Sequence, residues 1–352
     1  MAVDHRRLLS GRQTGPVAVL GRGTLWCASG LYQLAARYRR WQYDTGRRPV
    51  CRADVPVISV GNLTTGGTGK TPIVADLCRR LRARGRRVAI ISRGYGAGQS
   101  GVNDEALELE QRLPDVPHVQ HPDRVAAAEI AVHELEAEIL VMDDGFQHRR
   151  LQRDLDLVVI DCTCPFGFGH LLPRGYLREP LSSLRRADAV ILTRTDQVGE
   201  DELDTIRQTI RRFHPDAPVF HSIHRPAGLL TFDGRTQGLN QVEGKRVVMV
   251  SGIGNPDAFA KTLRGVGADV IARQDLPDHV NYDKETRLQL RNTVAEIRPA
   301  PDWVICTQKD LVKLATDSIA GVPLACLQIE LAYRDPPAWL EDRLDELSAP
   351  PR

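Results

Sequence analysis

Gly66-Gly67-Thr68-Gly69-Lys70-Thr71 stands between an apolar run, Val55-Pro-Val-Ile-Ser-Val60, and an amphipathic stretch that opens Pro72-Ile-Val-Ala-Asp-Leu77. A strand that turns sharply into a helix aims several backbone N–H groups and the positive helix end at one point. Glycines let that backbone close around a polyphosphate. The segment therefore reads as a phosphate-binding loop for a nucleoside triphosphate, in preference to a plain glycine-rich turn. Lys70 reaches the outer phosphates and the Thr71 hydroxyl takes a Mg²⁺ position. The general pattern G-x-x-x-x-G-K-S/T asks for glycine at position 64, where this chain has Thr64, so the loop is a variant.

What surrounds the loop sets the fold class. Val88-Ala-Ile-Ile-Ser92, Ile139-Leu-Val-Met142, Leu157-Val-Val-Ile160 and Ala189-Val-Ile-Leu192 are continuous apolar runs, with helical periodicity between most of them. Strands apolar on both faces and separated by helices imply a mostly parallel, doubly wound α/β sheet of the P-loop NTPase kind. Ligands of such sheets bind beyond the carboxyl ends of the strands, so the residues after Val60, Ser92, Met142 and Ile160 are expected on one edge. Two short extended pieces, Pro218 to Ile223 and Leu229 to Phe232, then interrupt the pattern. A second, smaller α/β unit follows with Arg246 to Ile253, Trp303 to Cys306 and Leu324 to Ile329. The expected organisation is an N-terminal basic amphipathic segment (1–52), a P-loop core (53–217), a β-type linker (218–235), a smaller α/β domain (236–334) and a C-terminal helix and tail (335–352).

A chain of 352 residues has room for two cores. Its seven cysteines are odd in number and scattered, which fits reduced thiols in a cytosolic compartment. Cys162-Thr-Cys164 with His170 nearby is a weak metal signal, because no second pair accompanies it. The net charge of +2 hides an asymmetry: residues 1–52 hold ten arginines against Asp4 and Asp44, so that segment carries +8 and the remainder −6. No apolar stretch is long enough to cross a bilayer, and no small-residue cleavage site follows the apolar part. At helical period Leu20, Cys27, Leu31, Leu34 and Tyr38 share one face, with arginines and Trp26, Tyr32, Trp41 and Tyr43 alongside. This pattern suits a helix lying on an anionic membrane surface, in preference to a nucleic-acid arm or a helix packed on the protein's own core.

Ile139-Leu-Val-Met142 ends in Asp143-Asp144. In P-loop enzymes a carboxylate at such a strand end holds Mg²⁺ directly or through water; the alternative is an Asp-Asp-Gly turn. Arg93, Asp104-Glu105 and Arg178-Glu179 fall on the same predicted edge, and Asp278-His279 lies in the second unit. A kinase needs a base for its acceptor hydroxyl, which an Asp and His pair can supply; spacing alone does not pair Asp104 with His279, and Asp104 by itself reads as an N-cap. Thr193-Arg-Thr-Asp196 follows a strand where nucleotide enzymes often read the base.

The combination Gly61-Asn-Leu-Thr-Thr-Gly-Gly-Thr-Gly-Lys-Thr-Pro72, Ser92-Arg-Gly-Tyr-Gly96, Asn103-Asp-Glu105, Asp143-Asp-Gly-Phe-Gln-His148, Leu177-Arg-Glu-Pro180, Gly252-Ile-Gly-Asn-Pro256, Pro277-Asp-His279 and Thr307-Gln-Lys-Asp310, in this order, closely resembles the tetraacyldisaccharide 4′-kinase (lipid A 4′-kinase) family. The likeness spans nearly the whole chain, and the family's loop also lacks the first glycine, so Thr64 agrees with it. The resemblance implies transfer of the ATP γ-phosphate to the 4′-hydroxyl of an acylated disaccharide 1-phosphate, at the cytoplasmic face of the inner membrane. It implies that Thr64, Thr65, Gly66, Gly67, Thr68, Gly69, Lys70 and Thr71 bind ATP, and that Thr71, Asp143, Asp144 and Glu179 handle Mg²⁺. It also implies that Asp104 accepts the hydroxyl proton with His279 as its partner, brought together by domain closure. No nucleic acid and no obligate protein partner are expected. Asn103-Asp104-Glu105-Ala106 stands where Gly-Asp-Glu-Pro is the commoner form. A membrane-associated P-loop ATPase switch acting on a protein, or a soluble small-molecule kinase, are the alternative readings.

Overall fold

The structure, a computed structural model, describes residues 8–11, 13–94, 104–277 and 280–349. Its elements run α1 (Pro16–Asp44), β1 (Val57–Asn62), α2 (Lys70–Ala83), β2 (Val88–Ser92), α3 (Asp104–Arg112), β3 (His118–Gln120), α4 (Arg124–His133), β4 (Ile139–Asp143), β5 (Leu155–Asp161), β6 (Ala189–Thr193), α5 (Glu200–Phe213) and β7 (Val219–Thr231). They continue with β8 (Thr236–Gln237), β9 (Arg246–Ser251), α6 (Pro256–Gly265), β10 (Asp269–Asp275), α7 (Lys284–Glu296), β11 (Trp303–Cys306), α8 (Gln308–Leu314), β12 (Ser318–Ile319), β13 (Val322–Tyr333) and α9 (Ala338–Ser348). The chain divides into two compact units: Met1–Arg93, Val116–Ser222 and Tyr333–Arg352 form the first, Gly94–Asp115 and Ile223–Ala332 the second.

In the first unit the strand order is β7-β6-β5-β1-β4-β2-β3, and the pairs from β2 with β3 to β6 with β7 are parallel. Every residue of β1, β2, β4, β5 and β6 is buried, which is why these strands read as unbroken apolar runs. The chain reverses its direction of progress at β1, whose neighbours are β4 and β5. Crossovers leave to opposite sides there, so the loops after β1, β4 and β5 part and leave a crevice at the carboxyl ends.

Helix α2 grows directly out of the phosphate loop. Gly69 at its N-cap holds φ +86°, a left-handed conformation that glycine adopts without a Cβ clash. Ile73, Val74, Leu77, Cys78 and Leu81 bury its inner face, and each large apolar residue contributes about 1.5–3 kcal/mol. Its outer face is clamped by α9: Arg84 meets Glu341 and Asp345, each at 2.6 Å, and Arg80 also pairs with Glu341.

Helix α1 takes its start from Pro16 at its first turn, a position that needs no N–H donor. Its narrow inner edge is polar. Ser29 Oγ accepts from Arg174 N at 3.0 Å and donates to Leu171 O at 2.9 Å, while Tyr32 donates to Arg178 O at 2.9 Å. The apolar face read from the sequence stays uncovered: Leu20, Leu31, Leu34 and Tyr38 are each at least 60% exposed, Cys27 is exposed, and Val17 and Trp26 are exposed as well. No helix among the described residues is long and apolar enough to cross a membrane.

In the second unit the order is β10-β9-β11-β13-β7, with β8 and β12 antiparallel to β7 and β13. Strands β9, β10, β11 and β13 pair in parallel. Val248, Val250, Val304 and Leu324 line one core, and Val247, Met249, Ile305 and Ala325 the other. Two features depart from a serial reading of the chain. Helix α3, which follows β2 in sequence, packs in this unit against α8, and Arg112 donates to Ile329 O of β13 at 2.9 Å. Most of the stretch expected as a linker is the strand β7, which starts in the first unit and ends in the second.

Candidate active site

The loop after β1 is built to hold anions. Gly66 has φ +102°, and added Cβ atoms at Gly66 or Gly67 would meet nothing within 4 Å, so backbone alone faces the open side. The loop is pinned from below: Asn62 Nδ2 donates to Thr68 Oγ1 at 3.1 Å and Thr65 N to Tyr176 O at 2.8 Å. Asn62 is fully buried, and its Oδ1 has no partner among the described residues. Gly61 is required because a Cβ there would come within 2.5 Å of Phe146 N.

At the end of β4, Val60 lies opposite Asp143, so the two acids open onto the loop. Asp143 is buried and its Oδ1 accepts from Asp144 N at 2.9 Å. Asp144 adopts φ +50°, a conformation that Asp tolerates better than most residues and that marks functional sites when the fold imposes it. Gly145 follows by necessity, since a Cβ there would sit 2.5 Å from Ser59 Oγ. The turn delivers the Asp144 carboxylate to two cations: Lys70 Nζ at 3.4 Å from Oδ1 and Arg178 Nη1 at 2.7 Å from Oδ2. Burial opposes its charge, but Lys70 and then Arg178 outweigh burial and hold the carboxyl well below the usual carboxylate range.

Around this pair stand groups to which sequence spacing assigns no role. Arg124 begins α4, is buried, and its Nε lacks a hydrogen-bond partner among the described residues. Burial pushes its pKa down while Asp144 and Asp143 pull it up. His148 is pushed down to about 4 by burial first and then by Arg124 and Arg153, so it is neutral near pH 7. Arg178 belongs to the Leu177-Arg-Glu-Pro180 motif, but nothing in its spacing tells which carboxylate it meets.

Glu179 is held by Arg186 at 2.7 Å. Both line a cleft of about 550 Å³ with Tyr32, Arg37 and Arg40 of α1 and with Arg149 and Arg178. Arg178 thus belongs to both the Asp144 cluster and the cleft.

Among the described residues no three His, Cys, Asp or Glu side chains gather as a ready metal cage. For Mg²⁺ that arrangement fits, because this ion is usually held by one or two carboxylates together with substrate phosphates and water. Asp143 and Asp144 beside Lys70 supply that donor set. Cys162 instead packs in an apolar cluster, and burial pushes its thiol up to about 12, a poor ligand. His279 and the side chain of Asp104 lie outside the described residues; the backbone of Asp104 opens α3.

A parallel sheet with a phosphate loop at its switch point and acids at the adjoining strand end define a P-loop enzyme of nucleotide chemistry. Residues 22–348 match the family described as tetraacyldisaccharide-1-P 4′-kinase. The chain is 41% identical to the tetraacyldisaccharide 4′-kinase of Anaeromyxobacter dehalogenans (strain 2CP-C) over 336 residues, 90% of this chain and 88% of that one. It is 38% identical to that of Geobacter sulfurreducens over 359 residues, covering 97% and 98%. The crystal structure of LpxK from Aquifex aeolicus in complex with ATP superposes with a TM-score of 0.71 at 28% identity, covering 93% of this chain and 99% of that one. The chain belongs to the tetraacyldisaccharide 4′-kinase family.

Proposed function

We propose that this protein transfers the γ-phosphate of ATP to the 4′-hydroxyl of an acylated disaccharide 1-phosphate, a lipid A precursor, at the cytoplasmic face of the inner membrane. The observation that carries the reading is Arg178, which holds Asp144 of the phosphate site and also lines the arginine-rich cleft beneath α1. A phosphorylated sugar is anionic, and Arg37, Arg40, Arg149 and Arg186 suit its phosphate, since guanidinium groups bind such oxygens in a fixed fork. The exposed apolar face of α1 takes the acyl chains' side of the interface.

In this reading the backbone from Thr64 to Thr71 cradles the ATP phosphates, and Lys70 neutralises charge on the group in flight. Thr71, Asp144 and Glu179 would be the Mg²⁺ ligands, with Asp143 in direct contact with the ion or orienting Asp144, which it meets at 2.9 Å. Held there, Mg²⁺ would supply positive charge that offsets that of the phosphates. Asp104 accepts the hydroxyl proton, with His279 as its partner. Residues 1–52 form the membrane-associating segment; the kinase core is the rest of the first unit, and the second unit, 94–115 with 223–332, takes the place of the smaller domain expected over 236–334.

The test is acceptor dependence: with Mg²⁺ and ATP, turnover rises from a low basal rate when the disaccharide precursor is added. A basal rate that lipid leaves unchanged refutes the kinase and favours a nucleotide switch.

A further inference from the structure

The loop after β6 is fastened to the phosphate loop in a way that the reaction described above does not use. Arg194 sits just past β6 in a left-handed conformation, φ +55°, one that costs a non-glycine residue energy and persists only where surroundings impose it. Its Nη1 donates to Asp161 Oδ2 at 2.5 Å and to Gly67 O of the phosphate loop at 3.2 Å. Asp161 ends β5 and is buried; its Oδ1 accepts from Thr163 N and Oγ1 at 2.9 and 2.7 Å. Beside it, the buried Thr193 Oγ1 donates to Thr68 O at 2.8 Å. Two successive carbonyls of the phosphate loop are therefore held by side chains from one neighbouring strand end.

The peptide is planar and trans, so a carbonyl and the N–H that follows it point in opposite directions. Anchoring Gly67 O and Thr68 O on the β6 side turns Thr68 N and Gly69 N to the other side, toward the phosphates. Gly66 and Gly69 at positive φ leave the intervening peptides free to flip, and a flipped peptide presents an oxygen to the anion in place of a donor. A buried Arg–Asp pair adds little net stability, so stability alone gives it little reason to be there.

We propose that Arg194, braced by Asp161, and Thr193 are positioning residues for ATP: they set the peptide orientations of the phosphate loop. The inference rests on the reading of that loop as the ATP site. It makes ATP and ADP affinity depend on both side chains, and leaves the acceptor's KM alone.

The experiment is equilibrium binding of Mg²⁺-ATP and Mg²⁺-ADP to the full chain, with melting temperature measured without nucleotide. Arg194→Ala is expected to weaken both nucleotides about tenfold or more, Arg194→Lys less, and Thr193→Val, which keeps the side-chain volume, by several-fold. Acceptor KM stays at the parent value in each. Thr193→Val keeps the test open should Arg194→Ala fail to fold. A lowered melting temperature with parental nucleotide affinity in Arg194→Ala or Thr193→Val reduces the pair to a structural brace and overturns the proposal. Lys70→Ala separates the two levels: if it too binds ATP as the parent does, the loop is not the ATP site and the underlying reading fails.

Discussion

Lys70 and Asp144 form an ion pair of 3.4 Å between the first residue of the helix that leaves the phosphate loop and the turn that ends the neighbouring strand β4. Arg178 shares the same carboxylate at 2.7 Å. With Arg124 nearby, three cations face the two acids Asp143 and Asp144, a surplus of one positive charge beside a loop of backbone donors, which suits a polyanion.

Removing either partner is therefore expected to cost rate. Lys70→Ala lowers kcat by about two orders of magnitude or more, as expected for a group that stabilises transferring charge. Asp144→Asn, which keeps the shape, raises the Mg²⁺ concentration needed for half-maximal rate by at least about tenfold. Steady-state kinetics at several Mg²⁺ concentrations check both; near-parental values in either variant remove that residue from its role.

Asp104→Ala is expected to lower kcat by about two or more orders of magnitude with a smaller change in ATP affinity, the signature of a lost base. The measurement is kcat alongside ATP binding. A loss confined to ATP binding would instead make Asp104 a nucleotide ligand.

The exposed face of α1 predicts a membrane effect separable from chemistry. Leu20→Asp, Leu31→Asp and Leu34→Asp together should reduce binding to anionic vesicles by about tenfold or more, since each buried apolar side chain contributes on the order of 1 kcal/mol or more. Vesicle flotation measures it. Equal binding to neutral and anionic vesicles by the parent protein would contradict the electrostatic share assigned to the arginines.

Two histidines predict a pH dependence of stability. Burial pushes His118 down to about 4, and burial followed by Arg124 and Arg153 pushes His148 to about 4, against about 6.5 in the unfolded chain. Because the folded values are lower, the unfolded chain binds more protons between these limits. Their contribution is then fully present above about pH 6.5 and lost as pH falls toward about 4. The urea midpoint should drop over that window, and drop less in His118→Gln and His148→Gln; an unchanged slope in both variants would refute the assignment.

The sequence carried the strands and the acids more clearly than the cations. Val57 to Val60 and Ile139 to Met142 are buried on both faces, so their apolar runs are unbroken and the polar residues that follow mark the working edge. Arg178 and Arg194 meet their carboxylates through loops whose paths depend on tertiary packing, and nothing in spacing couples Arg194 to Gly67. Thr193-Arg-Thr-Asp196 reads in the sequence as a strand-end motif where nucleotide enzymes often read the base, with no sign of its bonds to the phosphate loop. Helix α3 illustrates the same limit: Asp104 follows β2 in the chain, but its helix packs in the unit built around β9 to β13, which serial order does not reveal. The exposed apolar face of α1 was legible, because helical period alone fixes which residues share a side.

The most direct measurement of the central claim is the position of label after incubation with γ-labelled ATP, Mg²⁺ and the acylated disaccharide 1-phosphate in mixed micelles. The account predicts one labelled phosphate per disaccharide, on the 4′-oxygen, with ADP formed in equal amount and none of either with the 4′-deoxy acceptor beyond the basal rate. Label appearing only as inorganic phosphate, at a rate independent of the lipid, would contradict it.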